Sequence, residues 1–307
     1  MILSVNDVLQ LGLRVAKMSD AEQQAKGQAA CVAIFRGLYG PPPVVVQEVW
    51  EDLCNSTIAT ARIPDNEKIM KGFKMFMIAL YFLWTYPKNA RMIECHFSPI
   101  GQKNTRGEPL WKWIRRIEAL LPSKIRWLES LDDPNGPIFT VSVDGTDCKT
   151  WEKRNHPTLP YDPGTFSQKF NHGAVKYEIG VAIFEDKIVW VSDVSRGGRS
   201  DITIFREDGL LDLIPAGKMA VGDRGYPTSI EEEMEKIAYK RNEDPTVLKK
   251  FKAREMTRHE TVNGRIKCFE VTSGIFRHGM EKHQSSFKAV CVLVQYCIDN
   301  GAYLFQV

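Results

Sequence analysis

No apolar run in these 307 residues approaches the roughly 20 that a bilayer-spanning helix needs. The opening MILSVNDVLQLGLRVAKMSD has neither the basic head nor the continuous apolar core of a secretory leader. Clustered cysteines are missing too. The seven present (Cys31, Cys54, Cys95, Cys148, Cys268, Cys291, Cys297) are odd in number and never closer than C-x5-C, which excludes a disulfide frame and a paired-cysteine zinc site. They read as reduced thiols of a soluble, intracellular protein. A charge excess of one sign is absent as well: 41 Lys plus Arg against 38 Asp plus Glu leaves +3, so any polyanion surface must come from local asymmetry. There is no internal repeat and no low-complexity tract. What is present is 43% hydrophobic content, enough for one large domain or two modest ones without staples.

Local asymmetry exists in two places. Gly101 to Trp127 carries seven basic residues against Glu108 and Glu118, and Lys236 to Arg254 carries seven against Glu243 and Asp244. The first stretch closes a front half, residues 1–125, that reads as helical throughout, broken at Pro41–Pro43. Met70, Phe73, Met77, Leu80 and Leu83 predict one buried helical stripe ending before Pro87. A short helix is expected over 89–96, and Pro109 opens another through Leu110, Trp113, Ile114, Ile117 and Leu121. Three helices with a turn before the last, over about 70–121, resemble a helix-turn-helix, in which Arg106, Lys112, Arg115 and Arg116 would meet DNA. An ordinary bundle with a solvated basic face is the alternative. Of Trp111 and Trp113, one is expected in the core and one partly exposed.

From Pro137 the pattern changes to strands, placing a boundary near 122–136 and an α/β domain over 126–307. Residues 137–143 read as one strand, and 174–184 with 188–194 as an antiparallel pair. Residues 201–213 read as a helix, 219–222 as a strand, and 228–239 as a helix. A long helix then follows Asp244 and Pro245 and ends before Gly274. The apolar run near the C-terminus is expected to pack on the sheet.

Three acids stand out in this half. Asp144 follows Val141 and Val143 at an expected strand end where Gly145 would turn the chain, and Asp223 ends a second strand between Gly222 and Gly225. Glu260 lies on the long helix, away from its apolar stripe, with Asn263 one turn on as polar support. Two acidic strand ends facing one helical acid make a cage of hard oxygens suited to divalent metal, and hence to phosphodiester chemistry with two ions. Arg258, Arg265 and Lys267 flank Glu260 and are expected to touch DNA phosphate, the alternative being a solvated helix face. His259 reads as a packing or surface residue. Asp147 reads as an outer support or a turn acid.

The motifs V-D-G-T (143–146), K-Y-E-I-G (176–180), G-G-R-S-D (197–201), G-D-R-G-Y-P (222–227) and R-H-E-T-V-N-G-R-I-K (258–267) resemble a DDE transposase of the PIF/Harbinger type, a DDE superfamily endonuclease. The resemblance implies an RNase H-like mixed sheet flanked by helices, behind the helical front region. It also implies a catalytic and metal-holding triad at Asp144, Asp223 and Glu260, two Mg2+ or Mn2+ ions, and a supporting acid at Asp201. Element ends and target DNA are the implied partners, with homo-oligomers, a separate Myb-like accessory protein and nuclear localisation. A host regulator that keeps the fold without catalysis, or a simple nuclease, is the rival reading. The polar loop over 151–172 departs from the pattern and carries no assigned role.

Overall fold

The structure is a computed structural model that describes residues 3–63, 69–88, 92–93, 97, 107–151, 163–226 and 229–307. The helix expected over 89–96 falls largely, Arg106 wholly, and the first half of the loop over 151–172 (152–162) wholly outside the described residues. Two compact units divide the chain. One comprises 1–124, 268–274 and 285–301, and the other comprises 125–267, 275–284 and 302–307.

The first unit is helical: α1 (Val5–Val15), α2 (Asp20–Lys26), α3 (Gln28–Tyr39), α4 (Pro43–Asn55), α5 (Ile69–Thr85), α6 (Glu108–Glu118) and α7 (Leu121–Lys124). Local signals set these limits. Ser4 with Asp7, and Ser19 with Glu22, form reciprocal capping boxes, and Pro43 sits where its missing N–H costs nothing. Gly40 turns the chain at φ +86°, and a Cβ there would lie 2.4 Å from the Trp84 ring. The expected single stripe on α5 is corrected. Met70 is exposed, whereas residues 75–83 are buried all round, which makes α5 the central helix of the unit. Trp50, Phe73, Phe76 and Trp113 pack there, with Trp50 and Trp113 stacked at 6.0 Å between centroids. Both Trp111 and Trp113 are buried, so neither is left to stack on a base.

The second unit holds a mixed sheet flanked by helices, an arrangement compatible with an RNase H-like fold. Its strands are β1 (Phe139–Lys149), β2 (Phe166–Ser167), β3 (His172–Ala182), β4 (Ile188–Val191), β5 (Ser195–Arg196), β6 (Met219–Gly222) and β7 (Ile237–Tyr239). The order is β2-β3-β1-β6-β7, with β4 and β5 also on β3. β1 and β3 are antiparallel, and β1, β6 and β7 run parallel. Helices α8 (Asp201–Glu207) and α9 (Leu210–Leu213) replace the one expected over 201–213, because Gly209 takes φ +89° between them. Residues 228–239 are corrected likewise: only α10 (Glu231–Met234) is helical, and the β-prone Ile237–Tyr239 pairs with β6.

Val141 and Val143 point one way from β1, into a core with Phe205, Leu210 and Tyr226. The alternate residues face α11 (Thr246–Lys267). The helix expected to reach Gly274 stops at Lys267, and a short α12 (Glu270–Ser273) follows. The last helix, α13 (Met280–Asp299), lies mostly in the helical unit. There Tyr296 donates to Asp52 at 2.5 Å and Asn300, just past its end, donates to Glu48 at 2.8 Å.

Candidate active site

Asp144 is not at a strand end. β1 continues through it to Lys149, because residues 144–149 find partners along β3 (Asp144 with Ile179, Gly145 with Glu178). Sequence reading missed this because the apolar run stops at Val143, whereas the pairing does not. On the other side of β1, Ser142 is level with Val221 of β6. Carried two residues further, that parallel register sets Asp223 beside Asp144, on strands roughly 4.8 Å apart and on the same face. β6 ends at Gly222, so Asp223 begins the turn. Its Oδ1 accepts from the Gly225 N–H at 2.6 Å.

Helix α11 lies along the same face of β1 in step with it. Four helical residues rise about 6 Å and two strand residues about 6.6 Å. Thus Asn263 Nδ2 donates to Asp144 Oδ2 at 2.9 Å, and one step back His259 Nδ1 meets Ser142 Oγ at 3.0 Å. One step further, Glu255 and Thr140 are buried, with unpartnered side-chain oxygens. His259 is fully buried and burial pushes its pKa down to about 3, so it packs as a neutral ring. Glu260, on the next face of α11, is exposed.

Asp201 opens α8, and its carboxylate is wedged between two glycines. A Cβ on Gly145 would lie 2.6 Å from Asp201 Oδ1. One on Gly225 would lie 2.6 Å from Asp201 Oδ2 and 2.8 Å from Asp223 Oδ1. Those glycines supply room for carboxylates, and Gly145 turns nothing. Lys176 Nζ donates to Asp201 Oδ1 at 2.9 Å and to the Arg199 carbonyl at 3.1 Å, and stands 3.8 Å from buried Asp147. Ser167 also donates to Asp147, which makes it a strand-borne support.

The resulting field is legible at Asp144, whose pKa is pushed up to about 7. Burial is the first cause, then Asp223, Glu260 and Asp201, with Lys169 opposing. Beneath them Glu178 is buried, accepts from Tyr226 Oη at 3.1 Å and keeps its second oxygen unpartnered. Burial, opposed by that hydrogen bond and reinforced by Asp201, raises it to about 9. Asp144, Asp201, Asp223, Lys169, Lys176 and Arg199 are among the residues lining a cleft of about 590 Å³.

Most of the predicted DNA-binding cations are not free. Arg258 is 1% exposed and donates to the carbonyls of Ala182 (2.6 Å), Glu185 (2.7 Å) and Phe305 (3.1 Å) and to Asp186 (3.2 Å). Arg265 donates to the carbonyls of Ala302 and Tyr303, and Lys267 to the carbonyl of Asp147 and to Cys148 Sγ. These side chains satisfy backbone oxygens of the β3–β4 turn, the C-terminal tail and β1; Arg258 is enclosed there, and Arg265 and Lys267 are half-buried and already engaged. Arg116 is buried with its guanidinium 4.4 Å above the Trp113 ring. Lys112 and Arg115 are exposed, Arg115 pairing with Glu108. Sequence reasoning gave no role to Lys176 and Glu178, although both stand in K-Y-E-I-G. A lysine and a glutamate two apart on one strand face were the available signal.

Among the described residues, no three His, Cys, Asp or Glu side chains stand at metal-ligand spacing. In donor type the acids nonetheless fit a hard cation. All are carboxylates, Asp144 carries repulsion that Lys169 offsets only in part, and the buried Oδ1 of Asn263 beside it has no hydrogen-bond partner among the described residues. Neither a curated protein nor a solved structure matches the chain. Residues 143–295, the segment holding Asp144, Asp201, Asp223 and Glu260, match the family model described as DDE superfamily endonuclease, and that is the family this part of the chain resembles.

Proposed function

We propose that the protein is a metal-dependent DNA endonuclease of the transposase kind, in the PIF/Harbinger group, cutting and rejoining phosphodiester bonds at the ends of a mobile element. The supporting observation is that Asp144 on β1 and Asp223, which directly follows the parallel strand β6, charge the same point together with Glu260. Asp144, Asp223 and Glu260 would hold two magnesium or manganese ions. Such a pair, when bound, supplies charge neutralisation for the attacking and leaving oxygens and a nucleophile from water. The chain's own residues prepare the place. Asn263 fixes one oxygen of Asp144, the His259–Ser142 contact holds α11 in step with β1, and Lys176 keeps Asp201 drawn to the cleft wall. In this reading residues 126–307 form the catalytic domain and 1–125 a helical region that positions DNA, with Lys112 and Arg115 in its helix-turn-helix-like segment. Homo-oligomers, a Myb-like accessory protein and a nuclear location belong to the same proposal.

The test is cleavage of labelled duplex DNA with magnesium or manganese, comparing native protein with Asp144→Asn, Asp223→Asn and Glu260→Gln. Each variant should lose at least about a thousandfold in rate, ~4 kcal/mol of transition-state stabilisation. Joining of a cut end to a second duplex separates a transposase from a simple nuclease. Native protein that binds DNA but never cuts it with either metal would make the host-regulator reading the correct one.

A further inference from the structure

The cations that the sequence offers for DNA on the helix of Glu260 are consumed by carbonyls. Other cations beside the acids stand across the sheet. β6 and β7 are parallel, with Gly222 level with Tyr239, so Asp223 and Arg224 leave the sheet next to Lys240 and Arg241. Arg224, Tyr239, Lys240, Arg241, Asn242 and Glu243 line a groove of about 430 Å³. Arg224 and Lys240 are exposed, and no hydrogen bond or ion pair among the described residues engages either side chain. The Arg241 guanidinium lies 4.9 Å from the Tyr239 ring centroid. Three cations face one carboxylate in the groove. The adjacent Asp244 is already occupied, accepting from the Arg241 N–H at 2.9 Å and from Lys252 at 3.1 Å. Asp223 opens on the acidic cleft, and the very next residue opens on this groove.

A phosphodiester strand carries one charge per 3.4 Å of rise, and with Lys176 tied to Asp201 and Arg199 to Glu207 the carboxylates of the cleft repel the strand they must receive unless cations besides Lys169 stand immediately alongside. From this we infer that the Arg224–Lys240–Arg241 groove binds the backbone phosphates flanking the bond held at Asp144 and Asp223. The inference rests on the endonuclease reading and extends it to the path of the strand. Contacts of this kind hold the backbone and carry no base sequence, so the groove acts alike on any DNA.

The experiment uses the full chain and a fluorescently labelled duplex without divalent metal, with anisotropy followed over a range of KCl concentrations. Each neutralised phosphate adds about 0.9 to the slope of log affinity against log salt. Arg224→Ala and Lys240→Ala should each lower the slope by about 0.9 and together by about 1.8, with melting temperature unchanged. Arg224→Lys should restore it. Arg277→Ala, which removes an exposed cation outside both basic stretches and lining neither cleft, should leave it as in the native protein. A double variant that keeps the native slope while native protein binds overturns the groove and leaves the endonuclease reading standing. No binding by native protein at any salt overturns that reading and the groove with it.

Discussion

The helical unit and the sheet unit bury different chemistry. Among the described residues, the first has one buried charged side chain, Arg116, lying on a tryptophan. The second buries Asp147, Glu178, Lys218, Glu233, Lys252, Glu255 and Arg258. Around Trp50 the helical unit is closed by rings and aliphatic chains, which gain from leaving water, although the Trp50 indole N–H is buried there with no hydrogen-bond partner among the described residues. Buried charge costs several kcal/mol per ion unless paired, and burial accordingly raises Glu178 to about 9 and Glu255 to about 7, with both Glu255 oxygens and one of Glu178 accepting no hydrogen bond among the described residues. One unit is therefore built for stability. The other keeps acids out of water at a cost in stability, beside the cleft lined by Asp144, Asp201 and Asp223.

The sharpest way to break that contrast is to open the dry core. Trp113→Ala should destabilise the protein by about 3–5 kcal/mol, and by the same amount at pH 5 and pH 9, in denaturant titrations followed by circular dichroism. A loss that varies with pH would mean that the aromatic cluster is coupled to titrating groups. Next is Arg258→Met, which keeps the packing volume and removes the cation from three carbonyls. A loss of about 3 kcal/mol is expected, with no change in the salt slope of DNA binding. Unchanged stability with a shallower slope would return Arg258 to the DNA-contacting role.

The finest measurement is the pH dependence of the sheet unit. Glu178 rises from 4.5 to about 9 on folding, so folding takes up a proton between those values. Its contribution is fully present below about 4.5 and is lost as pH rises through 9. Glu178→Gln removes that dependence and should flatten the alkaline fall in stability, by no more than about 1.4 kcal/mol per pH unit. Identical profiles for native and variant would show that Glu178 stays ionised in the folded protein.

Local signals were strong wherever one segment carries its own answer. The break at Pro41–Pro43, the run Met219–Gly222 and the β3–β4 hairpin formed where the residues predicted them. Elements failed where a partner decided. Ile237–Tyr239 is a strand because β6 offers an edge, and α5 is buried on all sides because helices surround it. At the site, residue types picked out Asp144, Asp223 and Glu260, and pairing placed the first two side by side. The same pairing gave Gly145 and Gly225 a purpose that backbone freedom had not suggested, leaving room for Asp201.

By itself the sequence determined the helical front, the strand-rich half and the acids that mark the cleft, because periodicity, caps and residue chemistry act within a few residues. Only the tertiary structure decided that Asp144 lies mid-strand, that Lys176 holds Asp201, and that Arg258, Arg265 and Lys267 are spent on carbonyls while Arg224 and Lys240 are not. A charge's role depends on which groups stand within hydrogen-bond reach of it. Those groups come from chain segments tens of residues away.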